Sequence, residues 1–86
     1  MPYDRLKRAK RIVIGTNQTL KALQEKSPVE VYVAKDADRH VVARVVALCE
    51  QKQVSLVWVD SMKQLGKACG IDVGAAAAAI IEENST

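Results

Sequence analysis

The sequence is poor in aromatic residues, since its 86 positions hold no phenylalanine, two tyrosines and one tryptophan. Domains that bind unstructured single-stranded RNA usually stack the bases on exposed aromatic rings. Tyr32 and Trp58 fall in predicted strands, and we expect both to lie in the core. The composition therefore argues against a stacking surface, and any RNA that the chain binds is expected to be a folded one.

Cysteine and histidine are also scarce, with Cys49, Cys69 and His40 as the full set. The cysteines form no CxxC pair, and no second histidine could complete the four ligands of a structural zinc site. Both cysteines stand among apolar neighbours on predicted helices, where a free thiol packs as a small apolar group. We expect no metal, no cofactor and no disulfide chemistry.

Long apolar runs are missing, and so are the common nucleotide-binding loops. No stretch approaches the ~20 apolar residues that cross a bilayer, and the N-terminus lacks the apolar core of a signal peptide. Neither GxxxxGK[ST] nor GxGxxG occurs. A chain of 86 residues forms one domain, here residues 1–86, with little room for a deep catalytic cavity. We expect a cytoplasmic protein that is not an enzyme and has no membrane partner.

The net charge of +3 is modest, but its distribution is uneven. Five basic residues crowd the first eleven positions, namely Arg5, Lys7, Arg8, Lys10 and Arg11. Two interpretations stay open for this segment. It forms either a solvated helix face or a patch that contacts phosphates.

The apolar periodicity predicts alternating helices and strands, and hence an α/β fold with helices on both faces of the sheet. Strands are predicted at 12–14, 29–34 and 55–59, and helices lie before, between and after them. The alanine run 75–79 is ambiguous, because propensity favours a helix. The alternating order of elements favours a central strand, in which small residues allow close approach of helices from both sides. Residues 82–86 are predicted to fray.

The stretch GTNQTLKAL, residues 15–23, marks a transition from strand to helix. Thr16 or Asn17 can cap the helix. Asn17, Gln18 and Lys21 share its outer face, and together they offer donors and acceptors suited to base edges, with lysine favouring guanine. The alternative is that Asn17 only caps the helix and that Lys21 is solvated.

A second stretch, residues 65–75, combines three glycines with two aliphatic side chains, Ile71 and Val73. It is either an ordinary helix-to-strand connection whose aliphatics pack inward, or an apolar lip that supports a partner. Lys67 beside this loop is a candidate phosphate contact.

Together the two stretches, GTNQTLKAL and LGKACGIDVGAAAAAI, resemble the kink-turn-binding family, which includes archaeal and eukaryotic ribosomal proteins and small bacterial members of the YbxF type. The resemblance runs from Tyr3 to about Ile81. It implies a three-layer αβα sandwich with a small mixed four-stranded sheet in which the alanine run is a strand. A departure is Gln18, where archaeal members usually carry glutamate, so the hydrogen bonds at this position are expected to differ.

The resemblance also implies a function, namely binding of kink-turn RNA, a sharply bent helix with tandem sheared G·A pairs beside a bulge. Asn17, Gln18 and Lys21 would contact guanine edges, and residues 71–73 would lie against the flipped-out nucleotides. The residues expected to contact RNA are Gly15, Thr16, Asn17, Gln18, Lys21, Lys67, Ile71, Asp72, Val73 and Gly74.

The expected partner is a structured RNA with a kink-turn, bound by a monomer. Ribosomal RNA within the ribosome and a riboswitch are both candidates for that RNA. Two other functions stay open: a phosphometabolite-binding module at the Gly15 turn, and a protein-interaction domain that uses the lip at Ile71 and Val73.

Overall fold

Helices and strands alternate along residues 2–83, the part of the chain that the computed structural model describes. The helices are α1 (Pro2–Arg8), α2 (Thr16–Glu25), α3 (Arg39–Lys52) and α4 (Met62–Ala68). The strands are β1 (Arg11–Ile14), β2 (Glu30–Ala34), β3 (Ser55–Val59) and β4 (Ala77–Glu82). Within these residues, no helix combines the length and the apolar character needed to cross a membrane.

The strands form one mixed sheet in the order β1-β4-β2-β3. β2 and β3 are parallel, whereas β4 runs antiparallel to both β1 and β2. The carboxyl ends of β1, β2 and β3 therefore lie beside the amino end of β4. This border of the sheet, formed by the ends of the strands and not by an edge strand, is called here the carboxyl edge. The loops that follow β1, β2 and β3 and the loop that precedes β4 all lie there, and they include Gly15 and residues 71–74, which the sequence singled out.

The alanine run is a strand at the centre of the sheet, as the order of elements predicted. Ala77 and Ala79 face one layer of helices, and Ala78 and Ile80 face the other. All four side chains are buried. Tertiary packing overrides the helix propensity of alanine here, because small side chains let both helical layers approach the sheet closely.

The helices cover both faces of the sheet, which confirms the three-layer αβα fold. Leu6 of α1 and Leu65 of α4 pack in one apolar cluster, and Leu23 of α2 and Val45 of α3 pack in the other. Glu82, which the sequence assigned to a frayed tail, is the last residue of β4 and lies opposite Arg11 of β1. Of the rest of that predicted tail, Glu83 follows the strand, and residues 84–86 are outside the described residues.

Side chains cap two helix starts. The Ser61 hydroxyl accepts a hydrogen bond from the Gln64 amide at 3.1 Å and so caps α4. The Asp38 carboxylate accepts from the His40 amide at 2.8 Å and so caps α3. Asp36 serves a different helix, because it accepts from the Met62 amide at the start of α4.

Trp58 was expected in the core, and that expectation is wrong. Tyr32 lies on the inner strand β2 and is fully buried, but Trp58 lies on β3, an edge strand, and is 45% exposed. The strand pattern predicted each residue's secondary structure correctly but could not show which strand is at the edge. Cys49 is buried in the core, as expected, and Cys69 is partly buried.

At the other ends of the strands, opposite the carboxyl edge, one carboxylate accepts hydrogen bonds from three side chains. Glu30 is only 7% exposed and accepts a hydrogen bond from the buried Tyr32 hydroxyl at 2.7 Å. Its second oxygen accepts from Arg5 Nη1 at 3.2 Å and from the Ser55 hydroxyl at 3.3 Å. Arg5 also pairs with Glu83. Burial and the hydrogen bond to Glu30 both raise the pKa of Tyr32, so its hydroxyl stays protonated and continues to donate.

We expect Glu30→Ala to lower the free energy of unfolding by about 1–3 kcal/mol, because it leaves the buried Tyr32 hydroxyl without its acceptor. Urea denaturation measures the change, with Glu50→Ala at an exposed position of α3 as the control. In a Tyr32→Phe background the loss from Glu30→Ala should shrink. An equal loss in both backgrounds would show that the hydrogen bond contributes nothing.

Candidate functional site

The chain passes from β1 into α2 through a turn that only glycine adopts readily. Gly15 has φ +101° and ψ 157°, a conformation strained for any residue with a Cβ. A Cβ built there would meet nothing within 4 Å, so the need for glycine is conformational and not steric. The Gly15 amide donates to the Ala77 carbonyl at 2.8 Å, which fixes the turn to the amino end of β4.

The start of α2 differs from the prediction that Thr16 or Asn17 caps it. The helix already begins at Thr16, its N-cap is Gly15, and no side chain makes a capping hydrogen bond there. The first amides of a helix lack partners within the helix and carry a partial positive charge. Without a side-chain cap, this tip can present its amides to a ligand rich in acceptors.

Three polar side chains surround that tip. Asn17, Gln18 and Lys21 are all exposed, whereas Leu20 and Leu23 on the opposite side of α2 are buried. Since Asn17 does not cap the helix, its amide group has both a donor and an acceptor to offer. The outer face of the first two turns therefore combines two amides and one ammonium group, as the sequence predicted.

The loop between α4 and β4 is held against α4 by backbone contacts. The Ile71 amide donates to the Gly66 carbonyl and the Ala75 amide to the Met62 carbonyl, each at 3.0 Å. A Cβ at Gly66 would lie 2.0 Å from the Val73 carbonyl oxygen. Gly66 therefore allows the loop to pack directly on the helix, and its importance was missed in the sequence. A glycine in the middle of a helix is the signal that could have revealed it.

The two aliphatic residues of this loop behave differently. Ile71 is partly buried and packs against the core, as the interpretation of an ordinary connection expected. Val73 is 69% exposed, as the interpretation of an apolar lip expected. Asp72 and Gly74 on either side of Val73 are exposed too. The exposed lip is thus formed by residues 72–74.

Both predicted segments lie at the carboxyl edge. Gly15 bonds to Ala77, which follows the loop by a few residues, and the Ala76 carbonyl accepts from the Ala34 amide at the end of β2. The fold thus places the tip of α2 and the 72–74 lip at the same edge of the sheet. Lys67 is exposed in the last turn of α4, next to the loop.

Two residues of the basic N-terminal segment, Arg5 and Lys10, do not join this group. Arg5 pairs with Glu30 at the amino end of β2, and Lys10 Nζ lies 3.2 Å from Glu82 at the carboxyl end of β4. Both carboxylates belong to the edge opposite Gly15. These two cations are therefore paired with acidic side chains away from the candidate site.

The thiol at the end of α4 is poorly suited to nucleophilic chemistry. Burial raises the pKa of Cys69 to about 11, so it stays protonated at neutral pH, and burial has the same effect on Cys49. Among residues 2–83, no three His, Cys, Asp or Glu side chains come together in a way that could hold a metal ion. The exposed polar groups at the carboxyl edge are hydrogen-bond donors and acceptors.

The fold and this edge define a class, an αβα sandwich that presents an uncapped helix tip and a glycine-supported loop at the same edge of its sheet. A family model, described as the ribosomal protein L7Ae/L30e/S12e/Gadd45 family, matches residues 3–86. The chain belongs to this family, which confirms the resemblance carried by its two motifs.

Relatives of known name agree with this assignment. An RNA-binding protein of Halalkalibacterium halodurans is 54% identical over 80 residues, which cover 93% of this chain and 98% of that protein. The RNA-binding protein YbxF of Geobacillus stearothermophilus is 51% identical over 81 residues, covering 94% and 99% respectively.

A solved structure shows the same fold. The 15.5kD RNA binding protein of Giardia lamblia superposes with a TM-score of 0.79 at 32% sequence identity. The match covers 86% of this chain and 62% of the Giardia chain, so this chain spans less than two thirds of that protein.

We expect Gly66→Ala to lower the free energy of unfolding by about 1–3 kcal/mol, because the added methyl group meets the Val73 carbonyl. Helix propensity alone predicts the opposite sign, a gain of about 1 kcal/mol. Thermal and urea unfolding show whether the free energy of unfolding falls or rises, with Lys63→Ala on the exposed side of α4 as the control. A stabilised Gly66→Ala variant would show that the loop does not rest on α4.

Proposed function

We propose that the protein binds structured RNA and recognises the kink-turn, with the tip of α2 directed at the tandem G·A pairs. The observation that carries the proposal is the uncapped start of α2, where Asn17, Gln18 and Lys21 are exposed around amides that no side chain caps. Membership of a family that includes ribosomal proteins, and relatives named as RNA-binding proteins, support it.

The chemistry of the tip suits guanine. Guanine presents two acceptors in the major groove, O6 and N7, and lysine is a donor matched to them. Asn17 and Gln18 each add a donor and an acceptor. Gln18 is neutral where archaeal members of the kink-turn-binding family usually carry glutamate, so it brings no negative charge towards RNA and can also donate a hydrogen bond.

The shape of the tip suits bent RNA. A regular RNA helix hides its base edges in a deep, narrow major groove that side chains do not reach. A kink with sheared pairs widens that groove, and the end of a helix can then enter. The protein would thus select a distorted RNA, because an undistorted one offers only phosphates to the same surface.

The 72–74 lip supplies a second contact in this proposal. Val73 is strongly exposed, and it stands on a loop whose backbone is fixed to α4. An exposed aliphatic side chain on a rigid loop can pack against a nucleotide that has left the stack. The flipped-out nucleotides of the bend would lie here while the G·A pairs meet α2, with Lys67 near a phosphate.

The proposed activity is binding without catalysis, by a monomer. Stabilising a kink would favour the folded form of the RNA through mass action, since the protein binds only that form. Ribosomal RNA in the ribosome and a riboswitch with a kink-turn are the candidate ligands.

Two short RNA duplexes test the recognition of the kink. One carries a three-nucleotide bulge followed by tandem G·A pairs, and the other replaces those pairs with Watson–Crick pairs. We expect tight binding to the first, and weak, strongly salt-dependent binding to the second. Titration at one stated salt concentration measures both affinities. Equal weak affinities would contradict kink recognition and favour a phosphometabolite or a protein as the partner.

We expect Asn17→Ala and Lys21→Ala each to weaken binding to the kinked duplex by about 1–3 kcal/mol, as for the loss of a direct base contact. The preference over the Watson–Crick duplex should shrink as well. Gln51→Ala and Lys52→Ala, at exposed positions at the end of α3, are the matched controls for the loss of an amide and of a charge. If Asn17→Ala and Lys21→Ala bind no more weakly than these controls, the tip of α2 does not contact the bases of the RNA.

A further inference from the structure

An open groove runs along α2, between the helix and the edge strand β1. It encloses about 230 Å³ and is called here the α2–β1 groove. Its floor is aliphatic, and its rim carries polar and charged side chains. The residues that line it are Arg11, Ile12, Val13, Gln18, Lys21, Ala22, Glu25, Lys26 and Ile81.

The groove is continuous with the tip of α2, because Gln18 and Lys21 belong to both. From Gln18 to Lys26 it follows the helix for about 12 Å, at the usual rise per residue. A strand of nucleic acid held at the tip could therefore continue a short distance along the groove without leaving the protein surface.

The rim of the groove is positively charged. It carries three basic side chains, Arg11, Lys21 and Lys26, against one carboxylate, Glu25. None of these three cations takes part in an ion pair with the residues that the structure describes, whereas Arg5, Lys10 and Lys35 each do. The cations of the groove thus remain open to an anionic partner.

The far part of the carboxyl edge has no comparable excess of cations. The ends of β2 and β3 carry three exposed carboxylates, Asp36, Asp38 and Asp60, beside two exposed cations, Lys35 and Arg39. Among the described residues, Lys35 pairs with Asp60 at 3.9 Å. The α2–β1 groove, with its surplus of positive charge, is therefore the surface that attracts a polyanion more strongly.

We propose that the α2–β1 groove binds the phosphodiester backbone of the RNA whose bases meet the tip of α2, with Arg11 and Lys26 as phosphate contacts. This inference rests on the proposed function and adds two residues that neither motif contains. Phosphate contacts position a protein on its nucleic acid without reading sequence. Arg11 and Lys26 should therefore contribute affinity and salt dependence, while Asn17 and Lys21 contribute selectivity.

The test compares Arg11→Gln/Lys26→Gln with a control of equal charge change, Arg44→Gln/Lys52→Gln, whose residues are exposed on α3 and line neither the groove nor the α2 tip. The affinity of each protein for the kinked and the Watson–Crick duplex is measured over a series of salt concentrations. We expect the groove variant to reduce the slope of log affinity against log salt by about 1 for each lost contact. Circular dichroism checks that both variants are folded.

The groove variant should weaken binding to both duplexes by the same factor, so the preference for the kinked duplex stays at the wild-type value. A slope equal to that of the control would overturn the inference while leaving kink recognition intact. A wild-type protein without any preference for the kinked duplex would instead contradict the proposed function, and with it the assignment of this groove to that RNA.

Discussion

The insertion of β4 between β1 and β2 is the constraint on which the rest of the structure depends. Because β4 is antiparallel to both neighbours, its amino end meets their carboxyl ends. Two backbone hydrogen bonds fix this junction, from the Gly15 amide to the Ala77 carbonyl and from the Ala34 amide to the Ala76 carbonyl. The tip of α2 and the loop before β4 are thereby held by the same strand, so neither can move far without breaking the centre of the sheet.

Ion pairs of the basic N-terminal segment lie at the edge of the sheet away from the candidate site, and the cations beside the site are left available to a ligand. At the edge away from the site, Glu30 pairs with Arg5 and Glu82 pairs with Lys10, so two of the five cations of the basic N-terminal segment are neutralised locally. Around α2, the basic residues have no such partners among those described. Surface ion pairs contribute little stability. Their main consequence here is to decide which cations stay available to an anionic ligand.

Much of the fold was predictable because its signals are local. The strand at 55–59 and the exposed α2 side chains at Asn17, Gln18 and Lys21 depend on residues close in sequence. The alanine strand required an argument from topology against propensity. Strand order could not be derived from local pattern, so the exposure of Trp58 on an edge strand was missed.

The candidate site was only partly predictable for the same reason. The prediction of a capping side chain failed because Gly15 itself is the N-cap, in a backbone conformation that side-chain preferences do not reveal. Arg11 and Lys26 both line the α2–β1 groove. They share this surface because β1 is an edge strand, which the local sequence pattern does not reveal. Gly66 is explained only once Val73 is seen to pack on it.

In the proposed complex, RNA binds at the carboxyl edge, across the tip of α2 and the 72–74 lip. Amide NMR shifts of the labelled protein, followed while the kinked duplex is added, test this location most directly. We predict the largest changes at Gly15 to Lys21 and at residues 71–74, with small changes around Glu30 and Arg5 at the opposite edge. Changes concentrated on the N-terminal basic segment, with the α2 tip unaffected, would contradict this account.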